Sequence, residues 1–281
     1  MQVAVIAMGE MGAGVARRLT SRGARVLTSL AGRSASSAAR AREAGVQAVY
    51  DDQALVAGAD FVLSIVPPAR AEELAKRLLP AIRAANPKVV YVDCNAIAPQ
   101  TVSRIAEPFA QAGLAFVDAG IIGGPPTPAG YTPRIYASGS DAGAFAGLTG
   151  YGLDIPVLSD RIGEASALKM AYAGTTKGAH AVMISMMLGA ARSGVGEAFA
   201  AEMRYSQAGR LEAAVGQLPM VLKKAYRWDG EMEEIARFLL PETGGARIFE
   251  GAAELYRRLA EDVETALESE RLALLAEYDK A

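Results

Sequence analysis

Short apolar runs alternate with helical patterns over residues 1–160. Runs rich in β-branched residues at 3–7, 25–30, 46–50, 61–66, 89–92, 114–118, 134–138 and 154–158 predict strands. Between them, apolar positions recur at helical spacing over 34–44, 70–79, 99–112 and 141–148. A further helix starts directly after the first run. Asp51 and Asp52 can cap a brief helix, Gly45 closes one, and Pro99 opens another. Strands and helices in alternation call for a doubly wound parallel sheet. Near Gly163 the pattern changes. Residues 165–192 read as one long helix that tolerates Gly174, Gly178 and Gly189, and no strand is predicted beyond it. Four or five more helices follow Gly194, punctuated by Pro219, Pro241 and Gly244-Gly245. The expected organisation is an α/β domain at 1–162 and an all-α domain at 163–281, joined through the long interdomain helix.

Composition changes this picture little and narrows the function. With 281 residues and 51% hydrophobic content, the chain can bury a substantial core. A formal net charge of -2 argues against a nucleic-acid partner bound through a basic surface. Cys94, the lone cysteine, excludes an intramolecular disulfide framework and suits a reducing compartment. The apolar stretch 179–191 is short and flanked by Lys177 and Arg192, which fits a buried helix better than a membrane span. With no secretory signal pattern at the start, a cytoplasmic location is expected. His180, the only histidine, with scattered acids around it offers no metal site.

The candidate chemistry begins where the first strand breaks into a helix through Gly9, Gly12 and Gly14. Such a break collects unpaired backbone N–H groups and a positive dipole end, where a pyrophosphate fits. The spacing is G-x-x-G-x-G, so the G-x-G-x-x-G fingerprint is not met literally. Its place in the first β/α unit points to a Rossmann dinucleotide site, with Gly9, Glu10, Met11, Gly12 and Gly14 as the cradle. NAD sites keep an acidic residue about 20 residues further on, at the end of the second strand. Here Ser29-Leu-Ala-Gly-Arg-Ser34 has none; Arg33 can reach a 2′-phosphate, with Ser34 adding a hydroxyl. NADP(H) is therefore expected ahead of NAD(H). Asn95 follows a strand end, where it can meet the nicotinamide ribose or simply stabilise a turn.

Six short elements in order resemble the β-hydroxyacid dehydrogenases, relatives of 6-phosphogluconate dehydrogenase, and the plan is also similar to imine reductases. They are Gly9-Glu-Met-Gly-Ala-Gly14, Gly32-Arg33-Ser34, Val66-Pro67-Pro68, Asp93-Cys-Asn-Ala-Ile-Ala-Pro99, Asp118-Ala-Gly-Ile-Ile-Gly-Gly124 and Ile162-Gly-Glu-Ala-Ser-Ala-Leu-Lys169. The C-terminal helices resemble a branch of this superfamily whose substrates are poorly defined. The resemblance implies cofactor contacts at Val66 and Pro67 and a small hydroxy acid, or its keto or semialdehyde form, as substrate. It places Lys169 as the acid/base group, and a lysine in a closed, partly apolar cleft can serve that purpose.

Two departures affect the substrate half. The family asparagine four residues after the lysine is Ala173, so Tyr172 and Thr176, on roughly the same helix face, are expected to substitute through their hydroxyls. The serine of the D-A-P-V-S-G-G element is Ile122, which leaves the backbone N–H groups of Gly123 and Gly124 to hold an anion. An imine-reductase-like activity and a non-catalytic NADP(H)-binding regulator are the alternatives. The Met183, Met186 and Met187 cluster suits core or subunit interface, and the resemblance implies a homodimer.

Overall fold

The computed structural model describes residues 1–261 and Tyr278. It divides into two compact units, Met1–Met170 and Ala171–Ala281. In the first, strands β1 (Gln2–Ile6), β2 (Arg25–Ser29), β3 (Gln47–Val49), β4 (Phe61–Ser64), β5 (Val90–Asp93), β6 (Phe116–Ile122), β7 (Arg134–Ser138) and β8 (Val157–Ser159) form one sheet. They are joined by helices α1 (Glu10–Ser21), α2 (Ala35–Glu43), α3 (Asp52–Val56), α4 (Ala71–Ala85), α5 (Pro99–Gln111) and α6 (Ala142–Ala146), and α7 (Glu164–Ala173) follows. The strand order is 3-2-1-4-5-6-7-8, and the first six strands are all parallel. This is a Rossmann sheet, wound both ways from β1.

Both faces of the central strands are covered, which is why they read as continuous apolar runs. Along β1, Val3 and Val5 face a core shared with Val15, Ala16 and Leu19 of α1. Ala4 and Ile6 face the opposite core, built on Leu74, Leu78 and Ile82 of α4 and Ile105 and Phe109 of α5. Tyr91, Phe109 and Phe116 pack there with centroids 4.8–5.6 Å apart.

Two expectations are corrected at β6. The strand runs on to Ile122, past its expected end at 118. It also pairs antiparallel with β7, Gly120 opposite Tyr136 and Ile122 opposite Arg134. The segment between them contains no helix, and a parallel return would need a crossover of a dozen or more residues.

The first unit also extends past 162, to Met170. Physical anchors explain the shift, because the first turn of α7 is held by β6 and β7, as detailed below. The expected helix over 165–192 runs through without a break, with one irregular turn. A π turn at Gly174–Gly178 joins α7 to α8 (Ala179–Arg192). There the two glycines admit the Phe249 ring: Cβ atoms at 174 and 178 would stand 3.2 and 2.7 Å from it. Helices α9 (Gly196–Lys224), α10 (Trp228–Leu239) and α11 (Thr243–Glu261) complete the described part of the second unit; the expected helical text beyond 261 lies outside it, except for Tyr278. Among the described residues, no helix is long and apolar enough to cross a membrane.

Candidate active site

Strand order reverses between β1 and β4, and doubly wound sheets take their ligands beyond the carboxyl ends of such strands. At that end of β1 the three glycines have separate physical duties. Gly9 is the N-cap of the 12-residue α1, exposed, with open space where a Cβ would stand. Glu10, also exposed, and the partly buried Met11 follow it. Gly12 is buried; a Cβ there would collide with the Ala7 carbonyl, so glycine lets α1 start flush against the strand end. Gly14 is buried against Pro125 and Pro126, whose atoms would lie about 3 Å from a Cβ. Gly9 thus marks the open, exposed start of α1, where the first helix N–H groups have no intrahelical partner. Arg40 of α2 ties the turn down, Nε donating to the Met8 carbonyl at 2.8 Å.

At the end of β2, Gly32 has φ +67 and Arg33 follows, exposed, with its N–H donating to Leu30 O. The Arg33 side chain lines a groove with Val66, Pro67, Arg70, Glu73, Leu74 and Arg77. Ser34 caps α2: its Oγ accepts from Ser37 N at 3.2 Å and contacts the Ser36 and Ser37 hydroxyls. Sequence reasoning missed Arg70 and Arg77. Both occupy the α4 side of the groove and are partnered, Arg70 by Glu73 at 3.2 Å and Arg77 by Asp52 at 3.1 Å. A basic residue just after the Pro67-Pro68 break was the available signal.

Asn95 is only 2% exposed. Its Nδ2 donates to Ser64 Oγ at 2.8 Å and to Asp93 Oδ1 at 2.7 Å, and its Oδ1 accepts from Val66 N at 2.7 Å. Of the two roles considered for it, this geometry is the turn-stabilising one. Asn95 fixes Val66 and the Pro67 turn, so its influence on the groove is indirect.

Two buried carboxylates sit side by side in register, Asp93 on β5 and Asp118 on β6. Asp118 carries the donors: Ser166 Oγ at 2.6 Å, Gly163 N at 2.9 Å, and Ser166 N and Ser138 Oγ at 3.0 Å. The Ser138 hydroxyl in turn accepts from Ala165 N at 3.0 Å. Three of the orphan N–H groups around the start of α7 are thus capped from the sheet. Gly120 completes the seat, since a Cβ there would lie 2.7 Å from Ala165 O and 3.0 Å from Lys169 Cβ. This anchoring brings half-buried Lys169 against the end of β6. Ile122 lies two residues beyond Gly120 on the same face of the strand, with Gly123 and Gly124 exposed after it.

Burial raises the Asp118 carboxyl above the ordinary carboxylate range, its four donors pulling it back only in part. Asp93 has fewer. Burial, with the Asp118 charge adding to it, raises its pKa to about 7, and its Oδ2 lacks a partner among the described residues. A folded pKa above the unfolded value of 3.8 means that stability is full below about pH 4 and is lost as pH rises through 7. Asp93→Asn keeps the acceptor for Asn95 and removes the titration. It is expected to flatten the pH dependence of stability and to stabilise the protein at pH 8 by on the order of 2–4 kcal/mol. Urea unfolding at pH 5 and pH 8 checks this; equal slopes for variant and wild type would refute it.

In the second unit, Tyr172 is exposed and its carbonyl accepts from Thr175 Oγ1 at 2.8 Å and Thr176 Oγ1 at 3.2 Å. The Thr176 hydroxyl also reaches Ala173 O at 3.2 Å, so its hydrogen is engaged by the helix, whereas the Tyr172 ring stands clear. His180 stacks on buried Trp228, centroids 6.5 Å apart, and burial lowers its pKa, favouring the neutral ring. Trp228 packs edge-on against Tyr256, whose hydroxyl donates to Lys177 O at 2.6 Å. Lys177 pairs with buried Glu231 and lies over the Trp228 ring. These groups form a polar knot inside the helical unit. Among the described residues no cluster of His, Cys, Asp and Glu could hold a metal ion.

Comparison with known proteins agrees with this fold. Residues 2–147 match the family described as the NAD binding domain of 6-phosphogluconate dehydrogenase, and residues 190–259 match a domain of unknown function (DUF1932). An uncharacterised 28.5 kDa protein of Methanothermus fervidus is 29% identical over 186 residues, 66% of this chain and 69% of its own. A solved conserved protein of unknown function, described as structurally similar to 3-hydroxyacid dehydrogenases, is 33% identical, covers 92% of this chain and 99% of its own, and superposes with a TM-score of 0.64. The 3-hydroxyisobutyrate dehydrogenase of Mycobacterium tuberculosis, solved with L-serine, shares the fold at a TM-score of 0.68 and 17% identity, covering 97% of this chain and 98% of its own.

Proposed function

The chain belongs to the 6-phosphogluconate dehydrogenase NAD-binding-domain family, and on that premise we propose that it is an NADP(H)-dependent oxidoreductase. Its substrate is a small hydroxy acid or the corresponding keto or semialdehyde form. The observation that carries the cofactor choice is the Arg33 groove. Arg33 precedes α2 with no acid beside it at the end of β2, and in the groove it lines Arg70 and Arg77 are paired with Glu73 and Asp52, so Arg33 is the group that offers a 2′-phosphate charge and planar donor geometry. The open space at Gly9 and the exposed start of α1 suit the pyrophosphate. When bound, the dinucleotide supplies or accepts hydride.

The protein's own groups do the rest. Lys169, seated against β6 by Asp118 and Gly120, passes the proton to or from the reacting oxygen. The Gly123-Gly124 turn holds the anionic end of the substrate, with the Gly123 N–H as its backbone donor while that of Gly124 is engaged by the Tyr131 hydroxyl at 3.2 Å, and Tyr172, three residues after Lys169 on α7, offers a hydroxyl. A homodimer through the helical unit belongs to the same reading. Val182 and Met186, four residues apart on α8, are each more than half exposed, which supports it. The experiment for the activity is NADPH formation from NADP⁺ over a panel of small 3-hydroxy acids, with amines as the competing class. Turnover of at least one hydroxy acid is expected; turnover confined to amines would replace this reading with an imine-reductase-like one, and turnover of neither would favour a regulator.

A further inference from the structure

We propose that Tyr131 supplies the hydroxyl that Ile122 lacks, and that it recognises the carboxylate of the substrate at the Gly123-Gly124 turn. The inference rests on the reading of that turn as the anion anchor and adds a specificity-determining side chain to it. Tyr131 lies in the β6–β7 connection and its ring is about half exposed. Its Oη accepts from Gly124 N at 3.2 Å. That bond uses an acceptor lone pair and leaves the phenol hydrogen free to donate to a ligand. Gly123 is adapted to the same contact. It has φ +128, and a Cβ at 123 would collide with the Tyr131 hydroxyl, so only glycine allows the phenol to sit over the turn.

The phenol is placed, not merely nearby. Thr127 N donates to Tyr131 O at 3.0 Å, closing the connection into a tight loop. Arg18, from the helix that starts at the glycine cradle, donates through one nitrogen to both Thr127 O and Tyr131 O at 3.0 Å. Gly14 of the same helix packs on Pro125 and Pro126. The loop bearing the hydroxyl is therefore braced against α1. On β6, Ile122 shares the strand face of Gly120, beside Lys169 Cβ. The phenol thus reaches the turn that follows this face from across the loop, where a serine at 122 would have presented its hydroxyl from the strand itself.

The probe is 3-hydroxypropanoate added to the NADPH complex, a pair that cannot turn over because both partners are reduced. Its uncharged amide, 3-hydroxypropanamide, is the control. Wild type is expected to bind the acid more tightly than the amide. Tyr131→Phe keeps the ring and is expected to lose tenfold or more in affinity for the acid, with NADPH affinity unchanged. The double variant Tyr131→Phe/Ile122→Ser is expected to regain part of that loss, because a hydroxyl returns to the same turn from the strand. Wild-type affinity for the acid in Tyr131→Phe would overturn the proposal and leave the backbone anchor standing. No preference for the acid over the amide in wild type would overturn the anchor, and the role of Tyr131 with it.

Discussion

Lys169→Ala is expected to lower turnover roughly 100- to 10,000-fold, the range of a positioned acid/base group. NADPH affinity is expected to stay within about twofold, since the cradle and the Arg33 groove lie on other elements. The physical basis is the placement of the lysine. Its helix is packed so tightly on β6 that a side chain at 120 would touch Ala165 O and Lys169 Cβ. Stopped-flow and steady-state assays on the best hydroxy acid check the value. If Lys169→Ala turns over as wild type does, proton transfer is the work of another group, and Tyr172 becomes the first candidate.

The second large effect concerns the anchor itself. Asp118→Ala is expected to destabilise the protein by about 3–5 kcal/mol, read as a lowered urea midpoint. Alanine removes the acceptor from two backbone N–H groups and two hydroxyls, all in a buried site. Ser166→Ala removes only one of the four donors and is expected to cost about 1 kcal/mol. Equal losses for the two variants would show that the carboxylate is not the centre of the cluster.

The alternating sheet was legible because its central strands bury both faces and so announce themselves locally as apolar runs. The glycine turn was legible for the same local reason, though not its division of labour. Gly12 and Gly14 answer to Ala7, Pro125 and Pro126, and two of those contacts are over a hundred residues away in sequence. The end of β6 was hidden because Gly120, Gly123 and Gly124 carry loop composition while the first of them lies in a strand. Glycine there serves a close helix contact, which no periodicity reveals. The domain boundary moved past 162 for a related reason, since Asp118 and Ser138 draw the first turn of α7 onto the sheet.

Side-chain duties were the least visible. Asn95 follows a strand end, as a ligand-binding residue would, but burial commits its amide to Ser64, Asp93 and Val66. Tyr131 sits in a loop with no pattern around it, and only the folded β6–β7 pair carries it over Gly124. Arg33, by contrast, stands exposed just past the second strand and lines a groove there, a placement its position in the sequence gives directly; that it meets a 2′-phosphate is the proposal.

Everything proposed for the active site depends on the dinucleotide and on which one it is. The direct measurement is a fluorescence titration of the wild-type protein with NADPH and with NADH, repeated on Arg33→Ala. NADPH is expected to bind at least about tenfold more tightly than NADH, and Arg33→Ala to remove most of that difference while leaving NADH affinity unchanged, as loss of a charge-assisted bidentate contact would. Failure of both nucleotides to bind, or NADH binding as tightly as NADPH, would contradict the account.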